Sequence, residues 1–591
     1  MKTIPALLSD LIREAAQAVL DEAGADSGFL DGIDLVVATN DARHGDYQSN
    51  LAFRLQKPLG LRNPRACGQK LYDALGDHPA VERVDLAGPG FLNLTLSAAW
   101  LAQHVAQQVA DAHAGVAQSG AGETVVIDYS SPNIAKRMHV GHIRSTLIGN
   151  ALHRLHEAVG YRVIADNHIG DWGTQYGKLI YAWNRWRDED AYAADPVGEL
   201  ERLYVKFGVD AKASDDVERE AMEAEARAET ARLQAGDPEN RRLWKEFVDR
   251  SLAEYDTVYD RLGVRFDVTL GESFYHDMLG EVVETSLASG VAREDAGAVI
   301  VDFPPPTAKA LKDTVLVIRK GDGAYLYGTT DFATLQYRMA EWDPSRIVYV
   351  TDKRQQLHFK QVFDGWRRLR AATTPDAALP TLEHVWFGTL NFDGGAMSSR
   401  KGGTFRLVDY MDEAVARARV IVDDKAPDLP EAERADIAEA VGVNAVRYAD
   451  LSQNPNSDLE FSLDRMLSLE GNTAPFLMYS YARLRSIQRR GGVTQPDAAG
   501  MILAEPAERD LAVQLARYPE AVALALHTSR PNLFCDYLYE LAGRINRFYN
   551  QCRVLDQEGE VRASRLALVE ASATVLGHGL RTLGVRPIER M

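Results

Sequence analysis

Ser131-Pro132-Asn133-Ile134-Ala135-Lys136-Arg137-Met138-His139-Val140-Gly141-His142 is the stretch on which the fold turns. Upstream, Thr124 to Tyr129 carries Val125, Val126 and Ile127, an apolar β-branched run that reads as a strand. Downstream, Leu147, Ile148, Ala151, Leu152, Leu155 and Val159 recur at helical spacing until Gly160 can cap the end. Doubly wound parallel sheets bind nucleotides in loops of this kind, at a strand's carboxyl end, because the first turn of the following helix offers free N–H groups to phosphate. The stretch therefore predicts a nucleotide-activating loop. Gly141 leaves room for a ligand between the histidines, and His139 and His142, three apart, fall on one helical face.

Working outward, strand and helix signals alternate from about 116 to 410, which predicts an α/β, Rossmann-like domain with a doubly wound parallel sheet. Arg346-Ile347-Val348-Tyr349-Val350 reads as a strand and Gln355 to Arg370 as a helix. Two insertions interrupt the alternation: a highly charged helical one at about 176–245 and a smaller β-rich one at about 274–324, which contains the turn-like Phe303-Pro304-Pro305-Pro306. Residues 1–115 form a separate α+β module, with an amphipathic opening helix, a strand near Asp34 to Ala38, and a strand pair around Gly88-Pro89-Gly90. That module could serve RNA or be a structural appendage. From 411 to 591 strand signals almost vanish, and an all-α helical bundle is expected.

Composition sets the outer limits. A chain of 591 residues is too long for one core and implies about three or four domains. No uncharged apolar run approaches the roughly 18 residues a membrane helix needs, and Asp10, Arg13 and Glu14 interrupt the opening segment where a signal peptide would be apolar. A cytoplasmic protein without membrane attachment is expected. Cys67, Cys535 and Cys552 are too few and too scattered for a zinc cluster or a disulfide framework, so core thiols and no structural metal are expected. The net charge of −19 argues against indiscriminate nucleic-acid binding but leaves room for a local basic face.

The histidine loop resembles the HIGH motif of class I aminoacyl-tRNA synthetases, and the wider run from Ser130 to Leu152, SSPNIAKRMHVGHIRSTLIGNAL, is similar to the version in arginyl-tRNA synthetases. Met397-Ser398-Ser399-Arg400-Lys401-Gly402-Gly403 resembles the KMSKS loop, with Ala396 where the pattern opens on lysine. Members of the family lacking that lysine carry one at the place of Lys136. Three further blocks are similar to the family: His168-Ile169-Gly170-Asp171-Trp172-Gly173-Thr174-Gln175; Asn472 to Arg483, in the anticodon-binding domain; and His44 to Asn50, in an N-terminal domain that contacts the outer corner of tRNA.

The resemblance implies arginine–tRNA ligase activity, with ATP and its Mg²⁺, L-arginine and tRNA as partners and a monomer as the working form. Activation asks a carboxylate to attack the α-phosphate, so catalysis is positioning plus charge stabilisation. His139, His142, Lys136 and Lys401 are the catalytic candidates, and Gly141, Met397, Ser398 and Ser399 join them around ATP, with His358 a candidate to flank adenine. A guanidinium prefers a carboxylate it can meet with two hydrogen bonds. Tyr327 and Asp331, four apart, would share a helix face, and the resemblance puts them in the substrate side-chain pocket, with Asp128 and Asn133 on the substrate's polar ends and Gln355 adding a hydrogen bond. Asp171 could cap a helix or contact the adenylate.

For tRNA, Tyr481, Arg485 and Arg489 align at four-residue spacing, Tyr479, Arg483 and Arg490 form a neighbouring stripe, and Arg544, Arg547, Phe548 and Tyr549 make a second cluster. Rings stack on unpaired bases while guanidinium groups meet phosphate. The rival readings are a class I synthetase for another amino acid and a catalytically inert tRNA-binding paralogue. The second is prompted by Ala396 and opposed by the presence of His139, His142, Lys136 and Lys401.

Overall fold

The computed structural model describes residues 2–33, 35–39, 41–305, 308–392, 406–492 and 500–591, which form two compact units, 119–467 and 1–118 with 468–591. In the first, Val125, Val126 and Ile127 are fully buried, as strands covered on both faces must be. Strand Thr124–Asp128 lies between Arg162–Asp166 and Arg346–Asp352, and Thr381–Phe387 completes a parallel sheet. The chain leaves the central strand toward one neighbour and returns later on the other side. That reversal is the switch point at which such sheets open a crevice beyond their carboxyl ends.

Helix Ile143–Ala158 follows the central strand and packs so closely on it that a Cβ at Gly149 would lie 2.2 Å from Tyr129 Cβ. Its buried Arg144 pairs with Asp450 at 2.8 Å and donates to the carbonyls of Gly388 and Ser457. Arg447 donates to Asn150 of the same helix at 2.9 Å. These bonds fasten helix Glu431–Leu451 into the unit with the parallel sheet, and helix Leu407–Lys425, packed against it, belongs to the same unit. The expected boundary at 411 therefore falls inside a helix of that unit. Helical periodicity announces a helix but not the core it joins.

The first insertion is helical, with five helices from Thr174–Trp186 to Pro238–Leu262, and runs past the expected end at 245. The second contributes helix Leu279–Ala288 and an antiparallel sheet of Ala292–Asp295, Ala298–Asp302 and Val315–Arg319. Its Val299, Val301 and Ile318 share one apolar core with Val126, Tyr349, Phe332 and Trp366.

In the other unit, strands Val37–Ala38, Tyr47–Ser49, Phe91–Leu96 and Val81–Ala87 form an antiparallel sheet in that order. Helix Ile4–Ala23 buries Leu8, Ile12, Ala16 and Leu20 along one stripe. The carboxyl-terminal part is helical from Ala474–Gly491 to Gly559–Thr582. Among the described residues no helix is long and apolar enough to cross a membrane, and no three His, Cys, Asp or Glu side chains are placed to hold a metal ion.

Candidate active site

The histidine loop leaves the central strand through backbone that L-residues rarely adopt: Ser130, Ser131 and Ala135 have φ of 70°, 47° and 63°. Each such residue costs about 1–2 kcal/mol, so surrounding bonds must hold it. Ser131 Oγ donates to Asp128 at 2.8 Å, and the amides of Ser130 and Ala135 donate to Ser145 Oγ and Ser251 Oγ at 2.9 and 3.2 Å. Asn133 and Gly170 form a parallel bridge, and any Cβ on Gly170 would sit 2.1 Å from Asn133 Oδ1. The loop after strand Arg162–Asp166 is thereby laid against the histidine loop.

His139 and His142 meet through a cap and not along one face of a regular helix. His139 has extended backbone, and its Nδ1 accepts the Gly141 amide at 3.0 Å. His142 Nδ1 accepts the His139 amide at 3.2 Å. With both Nδ1 atoms accepting, the ring proton of each neutral histidine sits on Nε2. The ring centroids are 3.9 Å apart. Burial, followed by the charge of Lys136, lowers the His139 pKa; burial and then neighbouring His139 push His142 down to about 3. The pair is neutral near pH 7 and offers two N–H donors. Gly141 has a role beyond ligand access, since a Cβ there would lie 2.7 Å from the His139 ring.

Lys136 lies 4.6 Å above the Tyr204 ring and lines a small crevice, about the size of one water molecule, whose walls include Gln175 and Leu179. Arg137 is held by Asp195 and Glu254. His139 bridges to Arg406, and the Leu407 amide donates to Met138 O at 3.0 Å, so the chain resumes against the histidine loop at 406. Met397, Ser398, Ser399 and Lys401 lie outside the described residues.

Helix Tyr327–Trp342 begins where the spacing of Tyr327 and Asp331 predicts. Tyr327 is 71% exposed. Asp331 Oδ2 receives His358 Nε2 at 2.6 Å. Burial disfavours charge on His358, but the hydrogen bond and charge of Asp331 outweigh it, and the His358 pKa is raised. His358, the candidate to flank adenine, is thus tied to the carboxylate of Asp331. Gln355 is exposed, next to it on the Lys353–Gln355 turn.

Glu272 joins this site although no motif announced it. Burial, then the charges of Asp171 and Asp331, raise its pKa to about 7. Asp171 is raised by burial too, while the Ser273 hydroxyl and amide bind it. Glu272 lies within electrostatic reach of both Asp171 and Asp331, and negative charge gathered there attracts a cation. The expectation that Asp128 holds substrate is corrected: its oxygens accept Ser131 Oγ and Arg338 Nη2, the latter at 2.6 Å, so the protein itself occupies them.

On the helical face, Tyr481 is only 6% exposed and its hydroxyl donates to Glu589, which corrects its expected role as a base platform. Arg485 and Arg489 also bind Glu589, through its carboxylate and its carbonyl. The stripe secures the carboxyl-terminal segment. Tyr549 is 41% exposed and stacks on Arg483, whose guanidinium also lies over Tyr479. Arg547 pairs with Asp510 at 2.9 Å on the same helix as Tyr549.

Three family profiles match the chain: tRNA synthetases class I (R), catalytic domain, over 104–463; DALR anticodon binding domain over 477–591; and arginyl tRNA synthetase N terminal domain over 7–96. The arginine–tRNA ligase of Fusobacterium nucleatum is 42% identical over 573 residues, covering 95% of this chain and 96% of that protein. The arginine–tRNA ligase of Pseudomonas savastanoi is 40% identical, covering 99% and 100%. The arginyl-tRNA synthetase structures of Plasmodium falciparum and Thermus thermophilus superimpose with TM-scores of 0.83 and 0.82 at 25% identity, each over the full length of both chains. With a neutral histidine pair at the switch point of a parallel sheet and likeness along its whole length, the chain belongs to the arginyl-tRNA synthetase family.

Proposed function

We propose that this protein is an arginine–tRNA ligase: it joins L-arginine to ATP as arginyl-adenylate, releasing pyrophosphate, and passes the arginyl group to the 3′-terminal ribose of its tRNA. The observation that carries the choice of amino acid is the pair of Asp331 and Glu272, carboxylates suited to a guanidinium at the same end of the sheet as the histidine loop. Asp331 and Glu272 take the guanidinium, Tyr327 and Gln355 border it, and Asn133 takes a polar end of the substrate. The arginine carboxylate oxygen attacks the α-phosphorus, and the bond to pyrophosphate breaks. Charge gathering on the phosphates meets His139 and His142 Nε2–H, Lys136 and Lys401, with Gly141, Met397, Ser398 and Ser399 shaping the ATP site and Mg²⁺ arriving with ATP. A ribose hydroxyl then attacks the carbonyl carbon and AMP leaves.

The reading extends to the RNA: Tyr549, Arg483 and Arg547 form the aromatic and cationic face for unpaired bases, on a helical module, with the 1–115 module as a second contact. A monomer at work in the cytoplasm completes it. The test is aminoacylation of bulk tRNA with each amino acid offered separately. Charging by arginine alone is expected. Charging by another amino acid would transfer the chain to that specificity, and tRNA binding without ATP consumption would make it an inert paralogue.

A further inference from the structure

Arg338 is fully buried, on the same helix as Tyr327 and Asp331 and two turns beyond the latter. Its Nη2 donates to Asp128 at 2.6 Å and to Asp166 at 2.8 Å, and its Nε reaches Asp166 at 3.2 Å. Asp128 and Asp166 are paired in register as the last residues of adjacent parallel strands. Side by side and out of water, two carboxylates repel, and one guanidinium between them turns that repulsion into a clamp.

Both loops of the activation site are rooted in this clamp. Asp128 accepts Ser131 Oγ within the left-handed turn that opens the histidine loop. Just past Asp166, Asn167 Oδ1 accepts the Ser131 amide at 3.1 Å, and Pro132, Ile134 and Gly170 exchange backbone bonds of 3.1 and 3.2 Å. An anchor that served stability alone would be matched by packed apolar residues, since burying ions is costly. Here the ions are retained with a surplus of polarity: Arg338 Nη1, Asp166 Oδ1 and Tyr349 OH are buried and have no hydrogen-bond partner.

We propose that Arg338 is a positioning residue for arginine activation, an internal guanidinium that sets the histidine loop by clamping Asp128 to Asp166 and that closes Asp128 to the substrate's own guanidinium. This rests on the arginine-activating reading above. By its position on the Tyr327–Trp342 helix, it ties the ground on which the amino acid is recognised to the loop that handles ATP.

Arg338→Met in the full chain, assayed by arginine-dependent ATP–pyrophosphate exchange with tRNA present, tests it. Displacing a catalytic loop by about 1 Å costs about 10²-fold. The expected result is a fall in kcat of about that size with the KM for arginine changed less than about threefold, because Asp331 and Glu272 remain. Arg338→Lys should lie between the two. Adding Asp128→Asn to Arg338→Met should recover part of kcat, since an amide oxygen still accepts Ser131 Oγ and one stranded charge is gone. A lowered Tm with normal kcat per folded molecule would overturn the proposal, and so would a raised KM with unchanged kcat or a double variant slower than the single. If Arg338→Met does not fold, Arg338→Lys is judged by the same split. Failure of the arginine reading is separate, for the unaltered protein would then exchange no pyrophosphate with arginine.

Discussion

Glu272 titrates near pH 7 because burial and two neighbouring carboxylates work against its charge, and a bound guanidinium would reverse that balance. The sign follows directly. Arginine binds the ionised form better, so affinity rises with pH below about 7, by up to about tenfold per unit, and levels off above it. His358 acts in the same direction, since its raised pKa keeps a competing cation against Asp331 until it loses its proton. Titration calorimetry with arginine from about pH 5.5 to 8.5 should show this rise, with about half a proton released per arginine near pH 7. In Glu272→Gln the part of the rise due to Glu272 should be lost, leaving the shallower one due to His358, and affinity should drop. An unchanged profile would place the guanidinium elsewhere. His139 and His142 are legible from sequence because the motif that carries them is contiguous, although the caps that bring their rings together are not. Glu272 and Arg338 are not, because the partners that define them, Asp331 and Asp128, are remote in the chain and carry no spacing signal.

Among elements, the strand Thr124–Asp128 and helix Ile143–Ala158 that enclose the histidine loop follow from a β-branched run and a 3.6-residue period. What periodicity does not convey is how closely the two pack. Gly149 stands on that contact, and Gly149→Ala would place a Cβ 2.2 Å from Tyr129 Cβ. Helix propensity alone favours alanine there by about 1 kcal/mol. Overpacking opposes it, at about 1–3 kcal/mol, and should win because the obstacle is the root of a strand-end side chain that cannot swing away. The variant is expected to unfold at a lower temperature and to lose activation as the histidine loop shifts. A Tm at or above the parent value would mean that helix and strand part freely. Packing also decides where helices Leu407–Lys425 and Glu431–Leu451 belong: Asp450 is complementary to Arg144, a relation across 306 residues.

At the scale of the whole molecule, sequence leaves residues 1–115 as either an RNA-facing module or an appendage, and the unit that joins 1–118 to 468–591 bears on that choice. Arg509 donates to both oxygens of Asp46 at 3.1 and 2.6 Å and to Leu96 O at 2.9 Å. Beside it, Tyr47 OH donates to Glu520 at 2.6 Å, Arg517 donates to Asp46 O at 2.6 Å, and Gln108 donates to Leu515 O at 2.8 Å. These bonds link the antiparallel sheet to helices Pro506–Ala516 and Tyr518–Thr528, so the two chain segments should open together. Arg509→Met strands the Asp46 carboxylate, which then keeps only the Leu96 amide. Breaking a buried pair on one side costs about 3–5 kcal/mol, and the partial exposure of Arg509 brings that to about 2–3 kcal/mol. Native-state hydrogen exchange should then quicken in Tyr47–Ser49, in Phe91–Leu96 and in Pro506–Ala516 to the same extent, while the strand Thr124–Asp128 keeps its protection. Faster exchange in the two amino-terminal strands alone would show that the helices stand without them and that the first 118 residues are an appendage.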